Sequence, residues 1–296
     1  MDGVVVLFGL GVGVLIGLTG IGGGSLMTPL LIVVAGVKPT VAIGTDLAYG
    51  AITKTLGGWR VWRGGQVDMT LSKWLAVGSV PGSVGGVIVL NALHHALGGS
   101  FDSSLLYCVA GALLVASVGI LFRALLLPQA ALRERPEVPL AGATRALAVG
   151  IGLVLGFMLG LTSVGSGALI GLALIMVFRL TPHRVVGTDV FHAAILLWVA
   201  GLAHWFSGNV DVSLMLNILV GSLPGVYIGT LLLPRVSAGA LRPALGCVLL
   251  GSALGVLSKA GVDVPAAAIV GVPLLVGLIA FVAHRARVRR VKLATA

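Results

Sequence analysis

Residues 3–20, 146–163 and 212–233 carry no charged side chain. Each run is long enough to cross a bilayer, which takes about 17–25 apolar residues. Nothing else in the chain limits its fold so tightly. Lipid offers no hydrogen bonds, so the backbone of such runs must satisfy itself, and the available solution for apolar runs of this length is the α-helix. Similar runs occupy 43–60, 70–90, 104–127, 186–206, 240–257 and 264–284. Composition agrees: 58% of residues are hydrophobic and 9% charged, against about 25% charged in a soluble domain. The expectation is an all-α polytopic membrane protein with no soluble domain. The first residues, MDGVVVLFGLGVGVLIGLTG, lack a basic leader and a small-x-small cleavage site, so they read as a retained helix. The formal charge of +10 gathers at the ends of the apolar runs and in the tail. That pattern sets membrane orientation and does not point to nucleic acid. Cys108 and Cys247 lie inside apolar runs and read as small core residues.

The chain repeats itself. GLTGIGGGSL at 17 echoes as GLTSVGSGAL at 160, and KPTVAIGTDL at 38 as TPHRVVGTDV at 181. GGQVDMTL at 64 echoes as SGNVDVSL at 207, and VGSVPG at 77 as VGSLPG at 220. All four pairs share one offset, 143 residues. Duplicated units are typical of secondary transporters. The boundaries expected are a first membrane repeat over 1–127, a cytoplasmic linker over 128–145, a second repeat over 146–257, and an extra transmembrane helix with a basic tail over 258–296. In each repeat a short apolar segment follows the glycine cluster, 25–37 and 168–179. Either would be about 18–20 Å long as a helix, too short to span. These segments read as broken or re-entrant helices.

Lysine and arginine set the orientation. The tail HRARVRRVK, Arg235, Arg242, Arg179, Arg184 and the linker arginines 123, 133, 135 and 145 fall inside together. So do Arg60 and Arg63, whereas the matching uncharged loop FSGNVD faces out. The two halves therefore read as inverted. Lys38 falls outside on this count. Taking each glycine-broken pair as one span makes the halves parallel instead, and it leaves the arginine-rich linker outside.

The blocks GLTGIGGGSLMTPLL, AIGTDL, GQVD and GSVPGSVGG, with their echoes GLTSVGSG, VVGTDV, GNVD and GSLPG, resemble the sulfite exporter TauE/SafE family, also called the toluene-sulfonate uptake permease family. The resemblance spans nearly the whole chain outside the linker and the ends. It implies transport of a small sulfur-containing anion, such as sulfite or an organosulfonate, across the bacterial inner membrane. Neither the anion nor the direction is implied.

A helix break followed by a new helix exposes backbone amides at a positive dipole end, and glycine lets an anion approach them. Thr19, Gly22, Gly23, Gly24 and Ser25 form one such break; Thr162, Ser163, Gly165, Ser166 and Gly167 form the other. Together they are the expected substrate site, and close helix packing is the alternative role for small residues. Gly9, Gly11 and Gly13 read as packing positions. Lys54 joins the site because a lysine inside an apolar span is costly; its alternative is to snorkel toward Trp59, Arg60 and Arg63. Thr45–Asp46 and Thr188–Asp189, with His192, are the candidates for proton coupling or gating. The same aspartates could instead cap helices. Asp46 could pair with Lys54, two turns on. His204, near a helix end, and His94–His95, read as a loop pair, are expected at the interface. The five tryptophans read as interfacial anchors, and Asp68 and Asp211 as turn residues capping the next helix. Pro81 and Pro224 are expected to kink their helices.

The chain contains no GxxxxGK[ST], HExxH, CxxC or GxSxG, so no nucleotide hydrolysis, cofactor or metal chemistry is expected. The reading is a secondary transporter, not an enzyme, that moves a small oxyanion by alternating access, with proton coupling expected through its carboxylates. An anion channel with the same site is the alternative, and a membrane enzyme acting on a sulfur compound is a further one. The partners expected are the small anion and the lipid bilayer, with a homodimer left open. The place expected is the inner membrane, with a cytoplasmic C-terminus. Single cysteines placed at Gly65 and Gly208 should label from opposite sides of the membrane; labelling from one side would make the halves parallel.

Overall fold

The computed structural model describes residues 3–19, 24–98, 101–126, 135–139, 141–232 and 238–294. Among the described residues eleven helices follow one another: α1 Gly3–Thr19, α2 Gly24–Val33, α3 Pro39–Arg63, α4 Met69–Leu97, α5 Phe101–Leu126, α6 Gly142–Thr162, α7 Leu169–Met176, α8 Pro182–Phe206, α9 Val212–Leu232, α10 Ala238–Lys259 and α11 Ala266–Ala294. Five have a stretch long and apolar enough to cross a membrane: Met69–Leu97, Phe101–Phe122, Gly142–Thr162, His183–Phe206 and Val212–Leu232. α3 has 25 residues but carries Asp46 and Lys54 in its interior. α2 has 10 residues and α7 only 8, about 15 and 12 Å at 1.5 Å per residue. Both short segments are therefore partial helices, as their sequence lengths imply.

Glycine brings helices from different halves into backbone contact. Along α1, Gly9, Gly13 and Gly17 meet the backbone of Ile218, Ser222 and Val226 or its neighbours on α9, and Gly221, Gly225 and Gly229 answer against Val6, Leu10 and Val14. The same pattern recurs 143 residues away. Gly152, Gly156 and Gly160 of α6 meet Leu75, Ser79 and Ser83 of α4, while Gly78, Gly82 and Gly86 meet Val149, Leu153 and Phe157. A Cβ on Gly9 would stand 2.6 Å from the Ile218 carbonyl oxygen, where no atom fits. Residue numbers rise together in both pairs, so α1 is parallel to α9 and α4 to α6.

α3 and α8 run the other way. Gly44 meets Asn209, Gly201 meets Ala48, Gly50 meets Leu197, Gly57 meets Val190, and Gly187 meets Gln66. These two matching helices are antiparallel. α1 and α3 both run alongside α9 from its starting end, so the chain between them must come back: α2 is the return arm of a hairpin. α6, α7 and α8 do the same from the opposite face. Arg60, Arg63, Arg145 and Arg184 lie on one face, where Arg184 donates to the Val67 carbonyl at 2.8 Å and Arg145 stands over the Trp74 ring. The 207–211 turn lies on the other, against Gly44. α5 packs on α10, and α11 packs on α10.

Some expectations change. Gly11 has open space where its Cβ would be, so it does not pack as Gly9 and Gly13 do. Cys108 lies exposed on α5, not in the core, because it falls on the face turned away from α10; Cys247 is buried. α6 begins at Gly142, inside the stretch read as linker. His94 and His95 form the last turn of α4, not a loop. Trp59, Trp62, Trp198 and Trp205 are each about half exposed. Gly13→Ala and its counterpart Gly156→Ala should each lower the melting temperature in detergent, at a cost of roughly 1–3 kcal/mol from forced overpacking. Gly11→Ala should leave it unchanged.

Candidate functional site

The second glycine cluster shows how a helix break is held inside the fold. α6 ends at Ser163, whose backbone is left-handed with φ 60° and whose amide closes on the Leu159 carbonyl at 2.7 Å. Thr162 turns its hydroxyl back onto the Met158 carbonyl at 2.6 Å and accepts the Val164 amide at 3.2 Å. The Gly165 carbonyl accepts the Ile170 amide at 3.1 Å. Gly167, at φ 91°, gives its amide to Oδ1 of Asp189 at 3.1 Å. Thr162 and Gly165 thus satisfy the break itself. Asp189 already supplies a negative charge at the start of α7, where a helix end favours one.

Asp46 has different partners. Its Oδ2 accepts the Thr28 hydroxyl at 2.6 Å and the Ser163 hydroxyl at 2.8 Å. Thr28 lies on the first return arm, and Ser163 at the tip of the second hairpin. One carboxylate therefore joins α3 to both hairpins. Sequence reasoning did not single out Thr28; its i, i+3 spacing from Ser25 puts both hydroxyls on one face of α2.

Lys54 is 7% exposed and does not snorkel. Its Nζ has no hydrogen-bond partner among the described residues, so the pairing with Asp46 does not close. It sits within charge range of Asp189, Asp46 and His192. Ser25 Oγ, Ser166 Oγ, Tyr49 OH, His192 Nδ1 and Asp46 Oδ1 are likewise buried without a partner among the described residues. His192 meets the Ser79 hydroxyl through Nε2 at 3.1 Å. Tyr49, its counterpart in the first half, faces Ser222, the counterpart of Ser79, without closing a bond.

The structure therefore brings Ser25, Asp46, Lys54, Ser163, Ser166, Gly167, Asp189 and His192 into one buried neighbourhood. Gly22 and Gly23 lie outside the described residues, as does the side chain of Thr19, whose backbone ends α1. Gly24 opens α2.

Thr45 and Thr188 do something the sequence concealed. Thr45 accepts the Asp211 amide at 3.0 Å, and Thr188 accepts the Asp68 amide at 2.9 Å. Each clamps the turn of the opposite half, and the bare Gly44 and Gly187 beside them let those turns approach. Asp68 and Asp211 in turn cap α4 and α9, accepting the Leu71 amide at 3.0 Å and the Leu214 amide at 2.9 Å. His204 is fully buried, not interfacial, because Nε2 bonds the Gly160 carbonyl at 2.9 Å and Nδ1 meets Asn209 at 3.2 Å.

The sequence profile described as sulfite exporter TauE/SafE matches residues 5–256. A Bacillus subtilis (strain 168) protein named probable membrane transporter protein YjnA is 39% identical over 250 residues, covering 84% of this chain and 97% of that protein. Probable membrane transporter protein YdhB of the same organism is 30% identical over 249 residues, 80% of this chain and 95% of that one. A probable membrane transporter protein of Xylella fastidiosa (strain 9a5c) is 29% identical over 256 residues, 83% and 91%. No solved structure matches the chain.

Thr45→Val and Thr188→Val should each strand one amide and destabilise the fold by about 1–3 kcal/mol. Their effects should add, since the clamps lie on opposite faces. Thr→Ser at either position should restore most of the loss in detergent unfolding.

Proposed function

Because the chain belongs to the sulfite exporter TauE/SafE family, we propose that it is a secondary transporter that carries a small sulfur oxyanion, sulfite or an organosulfonate, through the membrane. The observation that carries this reading is the buried Lys54 amine, without a hydrogen-bond partner among the described residues, in a buried region that also holds Ser25 and Ser166, whose hydroxyls likewise have no partner among them. An uncompensated buried donor costs about 1–3 kcal/mol, and more when charged. A cluster of such donors at the meeting point of two re-entrant hairpins suits an oxyanion, which accepts several hydrogen bonds at once. Gly167 adds little, because Asp189 occupies its amide. The proposed ligands are therefore hydroxyls and an ammonium more than bare backbone.

Charge supplies the reason for coupling. Asp46 and Asp189 outnumber Lys54, so an anion entering the site meets net negative charge unless a proton comes with it. Proton-coupled movement follows from that balance. The antiparallel course of α3 and α8 supports an inverted repeat, which gives each hairpin access from its own face. Alternating access then needs only that the halves rock about the shared site. The arginine-bearing face is the proposed cytoplasmic one, in the inner membrane, with the basic C-terminus on the same side.

The test is uptake of labelled sulfite, thiosulfate, sulfate and short sulfonates into proteoliposomes, with and without a pH gradient. At least one sulfur oxyanion should enter saturably, faster with an acidic outside and with substrate on the trans side. Lys54→Ala should reduce that flux at least about tenfold, the loss of one charge-assisted hydrogen bond. A flux insensitive to trans substrate would make the protein a channel. Unchanged uptake in Lys54→Ala, Gly23→Leu and Ser166→Ala would remove the site.

A further inference from the structure

We propose that Asp46 is the proton-coupling carboxylate, a built-in anion that holds the Thr28 and Ser163 hydroxyls until protonation frees them for the substrate. This rests on the anion-carrier reading above and assigns its coupling to one residue.

Two features separate Asp46 from its counterpart Asp189. The first is the donor set. Both hydroxyls converge on Oδ2 of Asp46, at 2.6 and 2.8 Å. At the positions 143 residues away stand Gly171 and Gly20, which have no hydroxyl to give. Asp189 receives a backbone amide of its own hairpin instead, so its hydrogen bond stays within one half. The second feature is Oδ1 of Asp46, buried and without a partner among the described residues. It is the atom on which a proton can settle without displacing either hydroxyl.

A hydroxyl has one proton to donate. While Asp46 is ionised, Thr28 and Ser163 spend theirs on a charge-assisted bond, roughly twice as strong as a neutral one. An oxyanion beside them competes for the same two donors and is repelled by the same charge. A proton on Oδ1 removes both obstacles: Oδ2 becomes a neutral carbonyl acceptor, and the hydroxyls turn to the stronger acceptor, the anion. Since Ser163 sits on the second hairpin and Thr28 on the first, that exchange also unties this one contact between the hairpins. Proton binding, anion binding and release of the hairpins thus share one pair of hydroxyls.

The groups around Asp46 leave it the suitable atom. Lys54 and Tyr49 come from its own helix, and Asp189 and His192 from α8. α2 and the 162–168 tip bring no titratable side chain. α9 brings Asp211 through its amide to Thr45, and Tyr227 on an exposed face. On α5, Asp102, Tyr107 and Cys108 are exposed.

The experiment measures binding of radiolabelled methanesulfonate and isethionate to the purified full chain between pH 5 and 8. Both probes keep a fixed charge over that range. Wild-type affinity should fall about tenfold per pH unit on the alkaline side, the slope for one linked proton. Asp46→Asn keeps an oxygen for the hydroxyls, and its binding should lose that slope, while Asp189→Asn should retain it. Melting temperatures report folding. Should Asp46→Asn not fold, Ser163→Ala with Thr28→Val decides: affinity at pH 5 falls tenfold or more if the hydroxyls pass to the anion, and unchanged affinity overturns the proposal. A wild-type slope of zero, or a full slope in Asp46→Asn, overturns it while leaving the carrier reading in place. Failure of wild type to bind either probe at any pH overturns both.

Discussion

Helices from opposite halves touch here backbone to backbone, and the rest of the molecule is built on that contact. α1 lies on α9 and α4 on α6 with glycine at every fourth position facing the partner's carbonyls. Between apolar helices in lipid there is little hydrophobic gain to be had from association, so close van der Waals approach does the holding. The consequence is architectural. Neither half can bury its own first helix: α1 needs α9, and α6 needs α4. The two glycine-rich hairpins are thereby anchored on the opposite half, and Thr28 of the first meets Ser163 of the second at Asp46.

Anchoring by exchange also explains the Gly-Thr pairs. A glycine removes the side chain where the foreign turn must sit, and the threonine beside it accepts the amide that this approach would otherwise strand. The device appears twice, at Thr45 with Asp211 and at Thr188 with Asp68. Each aspartate then caps its own helix, so the chain from glycine to cap satisfies one polar group after another across the interface. Buried polar atoms without partners among the described residues are concentrated elsewhere, around Lys54.

How much of this the sequence disclosed depends on whether a feature is local. The apolar run lengths implied helices, and segments too short to span implied α2 and α7, because length and hydropathy act residue by residue. Asp68 and Asp211 were legible as caps for the same reason. The partner of a buried group was not. Thr45 and Thr188 bond turns more than a hundred residues away, and no spacing rule connects them. Asp46 and Lys54 share a helix face, yet the carboxylate turns to hydroxyls from two other segments and Lys54 Nζ has no hydrogen-bond partner among the described residues. His204 looked interfacial from its place near a helix end; a carbonyl of α6 and the Asn209 amide, both distant or folded back, account for its burial. Side chains that face another element draw their partners from the fold, and only the fold reveals them.

A duplicated scaffold does not require a duplicated site. The positions that carry structure are alike in both halves: the zipper glycines, the Gly-Thr clamps, the capping aspartates. The two aspartates of the central cluster match, but several residues around them differ. Lys54 stands opposite Leu197 in the alignment of halves, Thr28 opposite Gly171, Ser163 opposite Gly20, and Tyr49 opposite His192. Symmetry is retained where the two halves must bear equally on one another, since unequal clamps would favour one face. It is broken at the buried cluster around Lys54 and Asp46. One lysine between two carboxylates, and one carboxylate with two hydroxyls, give the centre a direction that the scaffold lacks. An exchange of donors at that centre can therefore act on both hairpins together while the clamps on either face keep the halves in register.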